Sequence, residues 1–170
     1  PVRIVVVVVK DYEIHNADQL FEFAAKVNAG ETDINAKLMA DIDLGNRAWT
    51  PIGNEAVPFT GTFDGNEFTV SGLYFNDSTT NRVGLFGNVN GGTVKNVGVV
   101  DSYISGYDYV GGVVGTSSGT VSDCYNTGAV SGGTYVAYII LTAKSDMADV
   151  PAGSQIVFSV NSSGYDNIPF

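Results

Sequence analysis

Two related stretches decide the fold of this chain: VGLFG at residues 83–87 and VGGVVG at residues 110–115. A degraded copy, YVAYII, follows at residues 135–140. When Leu85 is aligned with Val113, the motif recurs after 28 residues, and the degraded copy follows after 26. A repeat of about 20 to 50 residues indicates stacked supersecondary units, none of which can bury its apolar face alone.

A second motif is interleaved with the first at nearly the same period. It reads TVSGL at residues 69–73, TVKNV at residues 93–97 and TVSDC at residues 120–124, with steps of 24 and 27 residues. Alignment of both motifs predicts columns of similar side chains that fill one continuous core. The predicted columns are Val70, Val94 and Val121; Leu73, Val97 and Cys124; Leu85, Val113 and Ile139; and Phe86, Val114 and Ile140.

The repeated units have the composition of strands. They are rich in Val, Thr, Tyr and Phe, they carry Gly at their breaks, and none has an apolar stripe long enough for a helix. Short strands at a fixed period fit a propeller, an antiparallel array or a β-solenoid. Because equivalent positions are chemically similar, they can stack at the strand spacing of about 4.8 Å. We therefore predict an all-β parallel β-helix, with glycines where the coil turns or where neighbouring backbones approach.

The ordered series of motifs resembles the GLUG repeat of bacterial secreted and cell-surface proteins. The resemblance covers roughly residues 14–133. It implies a right-handed parallel β-helix in large, modular proteins that are often adhesin-like, and hence an extracellular or cell-surface location. The matching segments are GLFG (84–87), GVVG (112–115), ADIDL (40–44), WTPIG (49–53), FTGTFDG (59–65) and CYNTG (124–128).

The ends of the chain depart from this pattern. The third repeat lacks its framing glycines, so the β-helix is expected to end near residue 141. Within one compact domain we predict an apolar terminal strand at residues 1–13, the β-helix with a cap helix at residues 14–141, and a C-terminal strand and tail at residues 142–170. The chain begins at Pro1 without a Met, which we interpret as a mature or excised fragment.

One segment, residues 16–28, has the pattern of a helix. Asn16 can cap its N-terminus with Gln19 as the capping-box partner, and Gly30 supplies a C-terminal stop. We predict that this helix covers the open end of the solenoid, whose terminal coil otherwise exposes its core. Binding to a membrane or to a partner is the alternative use of its apolar face. That face comprises Leu20, Phe23, Ala24 and Val27.

Two apolar segments lie outside the repeats, at residues 4–9 and residues 155–160. The first belongs to a predicted strand, residues 1–10, that lacks alternation, so both of its faces should be buried. Such a strand is prone to aggregation when its edge is uncovered. The two segments are expected either to fold back onto this domain or to pair with a second copy by strand addition, which would make a filament subunit.

The chain of 170 residues is acidic, with 18 Asp and Glu against 8 Lys and Arg and a net charge of −10. This charge opposes binding to nucleic acid or to an anionic membrane surface. The longest apolar run, residues 4–9, is too short to span a membrane. We therefore predict no nucleic-acid partner and no membrane insertion.

Few residues are suited to catalysis. His15 is the only histidine and Cys124 the only cysteine, which leaves no ligand set for zinc and no Gly-framed nucleophilic serine beside the histidine. Cys124 is expected to be a buried, inert thiol. The sequence contains neither a phosphate-binding loop nor a dinucleotide motif. We therefore predict no catalytic, cofactor-binding or metal-binding residue, and no cofactor.

Carboxylates are the one remaining catalytic option. Asp41 and Asp43 are two residues apart and so point to the same side of a strand, while Ile42 and Leu44 on the other face would be buried. We interpret the two aspartates as solvated or locally hydrogen-bonded. The alternative is a carbohydrate-active β-helix, a polysaccharide hydrolase or lyase, that uses surface carboxylates such as Asp41, Asp43 and Asp64.

Asn126 is the least expected residue of the repeats. Alignment places it in the column of Phe75 and Val99, where a core side chain is expected. A buried asparagine must find backbone partners, which a corner or a loop supplies.

Three tyrosines, Tyr103, Tyr107 and Tyr109, cluster between repeats. They would stack on sugars or anchor a protein partner, although tyrosine is also common in strands. The favoured function is a non-enzymatic, extracellular structural or adhesive β-helix module, with self-assembly into a filament as a further option. Its partner would be a protein or glycan ligand on a cell surface, or copies of the chain itself.

Overall fold

The computed structural model describes residues 1–5 and 11–137. These residues form sixteen short strands and one helix. In chain order the elements are β1 (Tyr12–Ile14), α1 (Ala17–Asn28), β2 (Ala36–Leu38), β3 (Ile42–Asp43), β4 (Thr62–Asp64), β5 (Thr69–Ser71), β6 (Tyr74–Asn76), β7 (Phe86–Val89), β8 (Thr93–Lys95), β9 (Gly98–Val100), β10 (Tyr103–Ser105), β11 (Val110–Gly111), β12 (Val114–Ser117), β13 (Thr120–Ser122), β14 (Tyr125–Asn126), β15 (Ala129–Ser131) and β16 (Val136–Ala137).

Successive coils stack these strands into sheets. The first sheet has the order β1-β2-β4-β8-β13, the second β3-β5-β9-β14 and the third β6-β10-β15, and two pairs, β7-β12 and β11-β16, complete the coil. The pairings are parallel in every one of these sheets. The result is a parallel β-solenoid of about four turns, as the repeats predict.

The glycine-framed motifs occupy the predicted columns. Phe86 pairs with Val114 in the adjacent coil, and Val83 pairs with Val110. Val136 then pairs with Val110, so the degraded third repeat begins in the predicted register. The rest of that repeat lies outside the described residues.

The threonine motif is aligned correctly in two of its three copies. Val94 pairs with Val121 as predicted, but Val70 pairs with Val99. The partner of Val94 in the preceding coil is Phe63. A single coil contains two similar stretches, TFD in the first sheet and TVS in the second, and sequence alignment alone selects the wrong one.

Leu73 is misplaced in the predicted columns for the same reason. Its backbone N–H donates to the Oγ of Ser102 at 3.0 Å, which lies further along the coil than the predicted partner. Cys124 does stack with Val97, because the residues that follow them are paired. The prediction is therefore wrong for Leu73 and confirmed for the other two residues of its column.

Asn126 is buried, as predicted, with 3% of its surface exposed. It pairs with Val99, but Phe75 belongs to the third sheet and pairs with Ile104. The Nδ2 of Asn126 donates to the carbonyl of Gly128 at 2.9 Å, and its Oδ1 accepts the N–H of Gly128 at 3.2 Å. The buried amide thus has the backbone partners that its position requires.

In two coils, the corner between the first and second sheets is made by Asn96 and Asp123. Their φ values are 55° and 52°, a region that Asn and Asp adopt more readily than other side chains. Glycine is needed where backbones approach: a Cβ on Gly115 would lie 2.8 Å from the carbonyl oxygen of Gly87. The predicted role of glycine in close approach is therefore confirmed, while these two corners use polar residues.

Helix α1 is built as predicted. The Oδ1 of Asn16 accepts the N–H of Gln19 at 3.0 Å. The Gln19 side chain accepts the N–H of His15 at 2.7 Å, one residue earlier than in a standard capping box. Gly30 follows with φ 113°. The buried face of the helix comprises Leu20, Phe23, Ala24 and Val27.

Phenylalanine dominates the core beside α1. The ring centroid of Phe23 lies 6.0 Å from that of Phe59 and 5.9 Å from that of Phe63, and Phe63 lies 5.1 Å from Phe86. The helix therefore covers the first coils, as predicted. Later coils bury smaller side chains, namely Val94, Val97, Val99, Val110, Val113, Val114 and Cys124.

The N-terminal run differs from its prediction. Residues 1–5 form no strand, and Ile4 and Val5 are 84% and 78% exposed. The expectation that both faces of this run are buried is therefore wrong for these two residues. An apolar run has strand propensity, but propensity alone does not form a strand: residues 1–5 pair with neither edge strand of the first sheet, β1 or β13. The remaining predictions for residues 6–10 and 138–170 lie outside the described residues.

Candidate functional site

The two aspartates of the ADIDL segment are exposed and locally hydrogen-bonded, as predicted. The Oδ1 of Asp41 accepts the N–H of Thr69 at 2.8 Å and its hydroxyl at 3.1 Å. The Oδ1 of Asp43 accepts the N–H of Gly45 at 2.8 Å. The residues that follow each of them are buried. Each carboxylate therefore accepts a hydrogen bond that stabilises the backbone at the surface of the coil.

Asp64 lies in the first sheet, whereas Asp43 lies in the second. The Oδ1 of Asp64 accepts the N–H of Asn66 at 2.8 Å and the Nδ2 of Asn96 at 3.1 Å. Partial burial opposes ionisation, but the hydrogen bonds from Asn96 and Asn66 and the charge of Lys95 outweigh it and lower the pKa of Asp64 below its ordinary value. Asp64 is therefore held in its ionised form at neutral pH.

These contacts favour a structural role for the three carboxylates. A glycosidase needs a general acid whose pKa is raised, whereas the pKa of Asp64 is lowered. Asp41, Asp43 and Asp64 each accept a hydrogen bond from a different backbone N–H group. The carboxylates thus act as acceptors that hold turns of the coil.

Tyr74 and Tyr103 form a stacked pair on the third sheet. They are in register in adjacent coils, with ring centroids 5.7 Å apart and ring planes inclined by 22°. The two side chains are 39% and 44% exposed. The same column contains Ala48 on one side and Ala129 on the other. We call Tyr74 and Tyr103 the first ladder.

A second ladder consists of Arg82, Tyr109 and Tyr135. They come directly before Val83, Val110 and Val136, which pair with one another in three successive coils. The Cζ of Arg82 lies 5.6 Å from the centroid of the Tyr109 ring. The rings of Tyr109 and Tyr135 are stacked at 4.9 Å, with their planes 7° apart. Arg82 also forms an ion pair with Glu55 at 2.9 Å. A row of charged and aromatic groups therefore follows the axis of the solenoid.

The backbone of the second ladder is strained. The φ values of Arg82, Tyr109 and Tyr135 are 60°, 57° and 58°, in a region that bulky side chains rarely adopt. Hydrogen bonds to the next coil hold it: the N–H of Arg82 donates to the carbonyl of Asp108 at 3.0 Å, and that of Tyr109 to Thr134 at 3.1 Å. The ladder side chains are therefore fixed in direction by the backbone that carries them.

The predicted tyrosine cluster is divided between the two ladders. Tyr103 belongs to the first ladder and Tyr109 to the second, and Tyr107, which is 53% exposed, lies on the loop that joins them. The ladders therefore occupy neighbouring sides of the coil. We call the whole surface the tyrosine face; it comprises Tyr74, Tyr103, Tyr107, Tyr109 and Tyr135.

A cleft of about 390 Å³ opens beside the first ladder. Ala48 and strand β6, from Tyr74 to Asn76, border it on the sheet side, and residues of the loops at 50–54 and 77–82 form its other walls. The polar and aromatic side chains that line it include Trp49, Asn54, Tyr74, Asn76, Asn81 and Arg82.

Sequence reasoning missed Tyr74 and Arg82. Neither residue belongs to one of the two repeated motifs, and Arg82 is followed by a tyrosine rather than an arginine in the next coil. The available signal is spacing: Arg82 precedes Tyr109 by 27 residues and Tyr74 precedes Tyr103 by 29, each close to the period of the coil.

Cys124 is buried, as predicted, and its burial raises the pKa of the thiol to about 12. Among residues 1–5 and 11–137, no group of three or more His, Cys, Asp or Glu side chains is placed to hold a metal ion. The helical part of those same residues is not long and apolar enough to cross a bilayer.

These features define the class of protein: a parallel β-helix with an N-terminal helical cap and aromatic ladders along its surface. No family model matches the chain, and the resemblance to GLUG repeats stays a prediction.

Two relatives share sequence with much of the chain. Halomucin from Haloquadratum walsbyi is 36% identical over 128 residues, which cover 74% of this chain and 1% of that protein. A candidate Gly-rich membrane protein from Evansella cellulosilytica is 32% identical over 90 residues, which cover 51% of this chain and 10% of that protein. The chain thus spans only a small fraction of the length of these relatives.

A solved structure has the same fold. A candidate immunoglobulin A1 protease from Bacteroides ovatus matches with a TM-score of 0.54 and 22% identity, over 70% of this chain and 38% of that one. At this level of identity the likeness shows the fold alone.

Proposed function

We propose that this chain is a non-enzymatic structural or adhesive β-helix module of an extracellular or cell-surface protein. The tyrosine face carries the proposal, because its ladder tyrosines are stacked along a regular scaffold and all of its tyrosines but the half-buried Tyr109 are exposed. Aromatic side chains that are already fixed lose little conformational entropy when a ligand binds. The partner would be a protein or glycan ligand on a cell surface.

The location rests on the relatives and on charge. The relatives are named Halomucin and a membrane protein, names that point to the cell surface. A net charge of −10 keeps a protein soluble outside a cell and disfavours nucleic acid as a partner. The resemblance to GLUG repeats of secreted proteins agrees with both.

The proposal is tested by retention on immobilised ligands. The purified chain is passed over cellulose, chitin, mannan, pectin and mucin, and both the bound fraction and the release of reducing ends are measured. We expect retention on at least one material without release of ends. The variant Tyr103→Ala/Tyr109→Ala, which removes a ring from each ladder, should lose retention, whereas the control Lys37→Ala in the first sheet should keep it.

Two outcomes would contradict the proposal. Retention that is absent on every material, or that is unchanged in the double variant, would remove the adhesive role. Release of reducing ends that disappears in Asp41→Ala would establish the alternative, a carbohydrate-active β-helix that uses its surface carboxylates.

A further inference from the structure

One face of the Tyr74 ring borders the cleft. Its other face packs on Tyr103. The residue in register on the cleft side is Ala48, whose side chain is a single methyl group. Tyr74 and Ala48 both line the cleft. The cleft therefore has a flat aromatic wall beside a small residue, which suits a ligand with an apolar face.

The loops around the cleft are internally hydrogen-bonded. The Oδ1 of Asn54 accepts the N–H groups of Ala56 and Val57 at 2.9 and 3.1 Å. On the facing loop, the Oδ1 of Asp77 accepts the N–H of Thr79 at 2.9 Å. Because these contacts set the loop conformation before a ligand arrives, binding costs less ordering entropy.

The charges around the cleft favour a neutral ligand. The guanidinium of Arg82 is paired with Glu55, with N–O distances of 2.9 and 3.4 Å. Asp77 adds a carboxylate to the rim. An acidic polysaccharide would meet the carboxylate of Asp77, and the only lining guanidinium in the described residues is already paired with Glu55. Repulsion by the net charge of −10 acts in the same direction.

We propose that the cleft binds a neutral pyranose unit of a polysaccharide; this inference rests on the proposed adhesive function and names its ligand class. The C–H face of the sugar ring packs on Tyr74. The amide of Asn76 and the Nδ2 group of Asn81, both exposed at the cleft, hydrogen-bond the sugar hydroxyls. The Oδ1 of Asn81 already accepts the N–H of Asp108 at 3.1 Å, which holds this side chain in place. The volume of about 390 Å³ lies within the roughly 300–1,000 Å³ of small-molecule sites.

The inference is tested by calorimetric titration of the full chain with cellohexaose, mannohexaose and chitohexaose, and with an acidic oligogalacturonate. We expect at least one neutral probe to bind, and the acidic probe to bind at least about tenfold more weakly. Tyr74→Ala should weaken binding at least about tenfold, whereas Tyr74→Phe, which keeps the ring, should stay within about threefold of the native chain. Met39→Ala is the matched control, because this exposed apolar side chain lies outside both the cleft and the tyrosine face.

The outcomes separate this inference from the proposed function. If Tyr74→Ala binds as tightly as Met39→Ala while both stay folded, the cleft is not the site, although the adhesive function stands. If an immobilised protein retains the chain but no neutral hexasaccharide binds, the ligand class is wrong and the adhesive function again stands. If neither assay detects a ligand, both fail. Should Tyr74→Ala unfold, Asn76→Ala provides the same test from the polar side and should weaken binding by a similar factor.

Discussion

The Nζ of Lys95 lies 3.7 Å from the Oδ2 of Asp64, one coil away in the first sheet. Lys37 pairs with Asp64 from the other side, and Glu13 pairs with Lys37. The column therefore alternates in charge along the axis, and Asp64 has a lysine on each side. Opposite charges on directly paired strand positions stabilise the stack and disfavour a slipped register.

Removing the charge of Asp64 should destabilise the fold in a pH-dependent way. Because its pKa is lowered in the folded state, the carboxylate contributes stability above the unfolded pKa of about 3.9, and this is lost as pH falls through the folded pKa. Asp64→Asn keeps an oxygen acceptor but not the charge. We expect a cost of about 1 kcal/mol in the free energy of unfolding at pH 7, measured by urea titration.

The native chain and the Asp64→Asn variant should become nearly equal in stability at a pH low enough to protonate the Asp64 carboxyl in both the folded and the unfolded state. Asp18→Asn is the matched control, since Asp18 also faces a cation, Arg47 at 3.0 Å, but its side chain is 87% exposed. It should have little effect. A penalty for Asp64→Asn that persists unchanged into acid would show that packing, not charge, is responsible.

Leu85→Ala should cost about 2–5 kcal/mol in the free energy of unfolding, because truncation of a buried Leu leaves a cavity. Leu85 has 0% exposure in the core of the glycine-framed motif. Met39→Ala, at a side chain that is 38% exposed, is the control and should change stability by about 0.5 kcal/mol or less. Equal effects of the two changes in chemical denaturation would contradict the predicted burial pattern.

Gly112 and Asn126 should be energetically coupled. A Cβ on Gly112 would lie 2.2 Å from the Cγ of Asn126, so Gly112→Ala should destabilise the chain by about 1–3 kcal/mol through overpacking. The penalty should fall when Asn126→Gly is also present, because the contact is then removed. A double-mutant cycle by thermal or urea unfolding measures this coupling, and strict additivity would mean that the clash is relieved elsewhere.

Cys124 should react with a bulky thiol reagent only when the chain unfolds. The side chain is 1% exposed, and a pKa raised to about 12 keeps the thiol protonated at pH 8. The labelling rate without denaturant should therefore match the rate of unfolding measured by circular dichroism. Fast labelling of the folded chain would place Cys124 outside the core.

The N-terminal segment should promote self-association. Ile4 and Val5 expose apolar side chains, and strand addition to a second copy would cover such a segment. We expect the full chain to associate with rising concentration in sedimentation velocity, and a chain without residues 1–10 to remain folded and monomeric. A full chain that stays monomeric at high concentration would rule out the filament role.

Local and periodic features of this fold can be predicted from sequence. The cap and buried face of α1 depend on residues within three or four positions of one another, so Asn16 and Phe23 are assigned correctly. The stacking of Phe86 on Val114 follows from a glycine-framed motif that is distinctive enough to align. Val70 is misaligned because one coil carries two similar threonine stretches, and only pairing in space distinguishes them.

The candidate site is harder to predict, because its residues are brought together by the stacking of coils and do not form a motif along the sequence. Asp41 and Asp43 are correctly expected to be surface acceptors, since their exposure follows from strand alternation. The second ladder brings together unlike residues, Arg82 and Tyr109, from adjacent coils. Their positive φ values could not be predicted, because neither position carries the Gly, Asn or Asp that usually indicates this conformation. The cleft beside Tyr74 depends on a small side chain in register with it, which becomes visible only when the register is known.

The core changes from phenylalanine beside α1 to valine in the later coils. Within the described residues, the coils near the helix should therefore be more stable than the later ones. Coils beside α1 bury larger apolar side chains, and each buried side chain contributes in proportion to its area. Because a solenoid coil contacts only its neighbours, it can open without the others. Among the described coils, loss of structure under tension or heat should start at β13–β16 and advance toward the helix. The described coils would then unfold one after another toward the helix. Protection of backbone amides from hydrogen exchange should accordingly rise from β15 to β4.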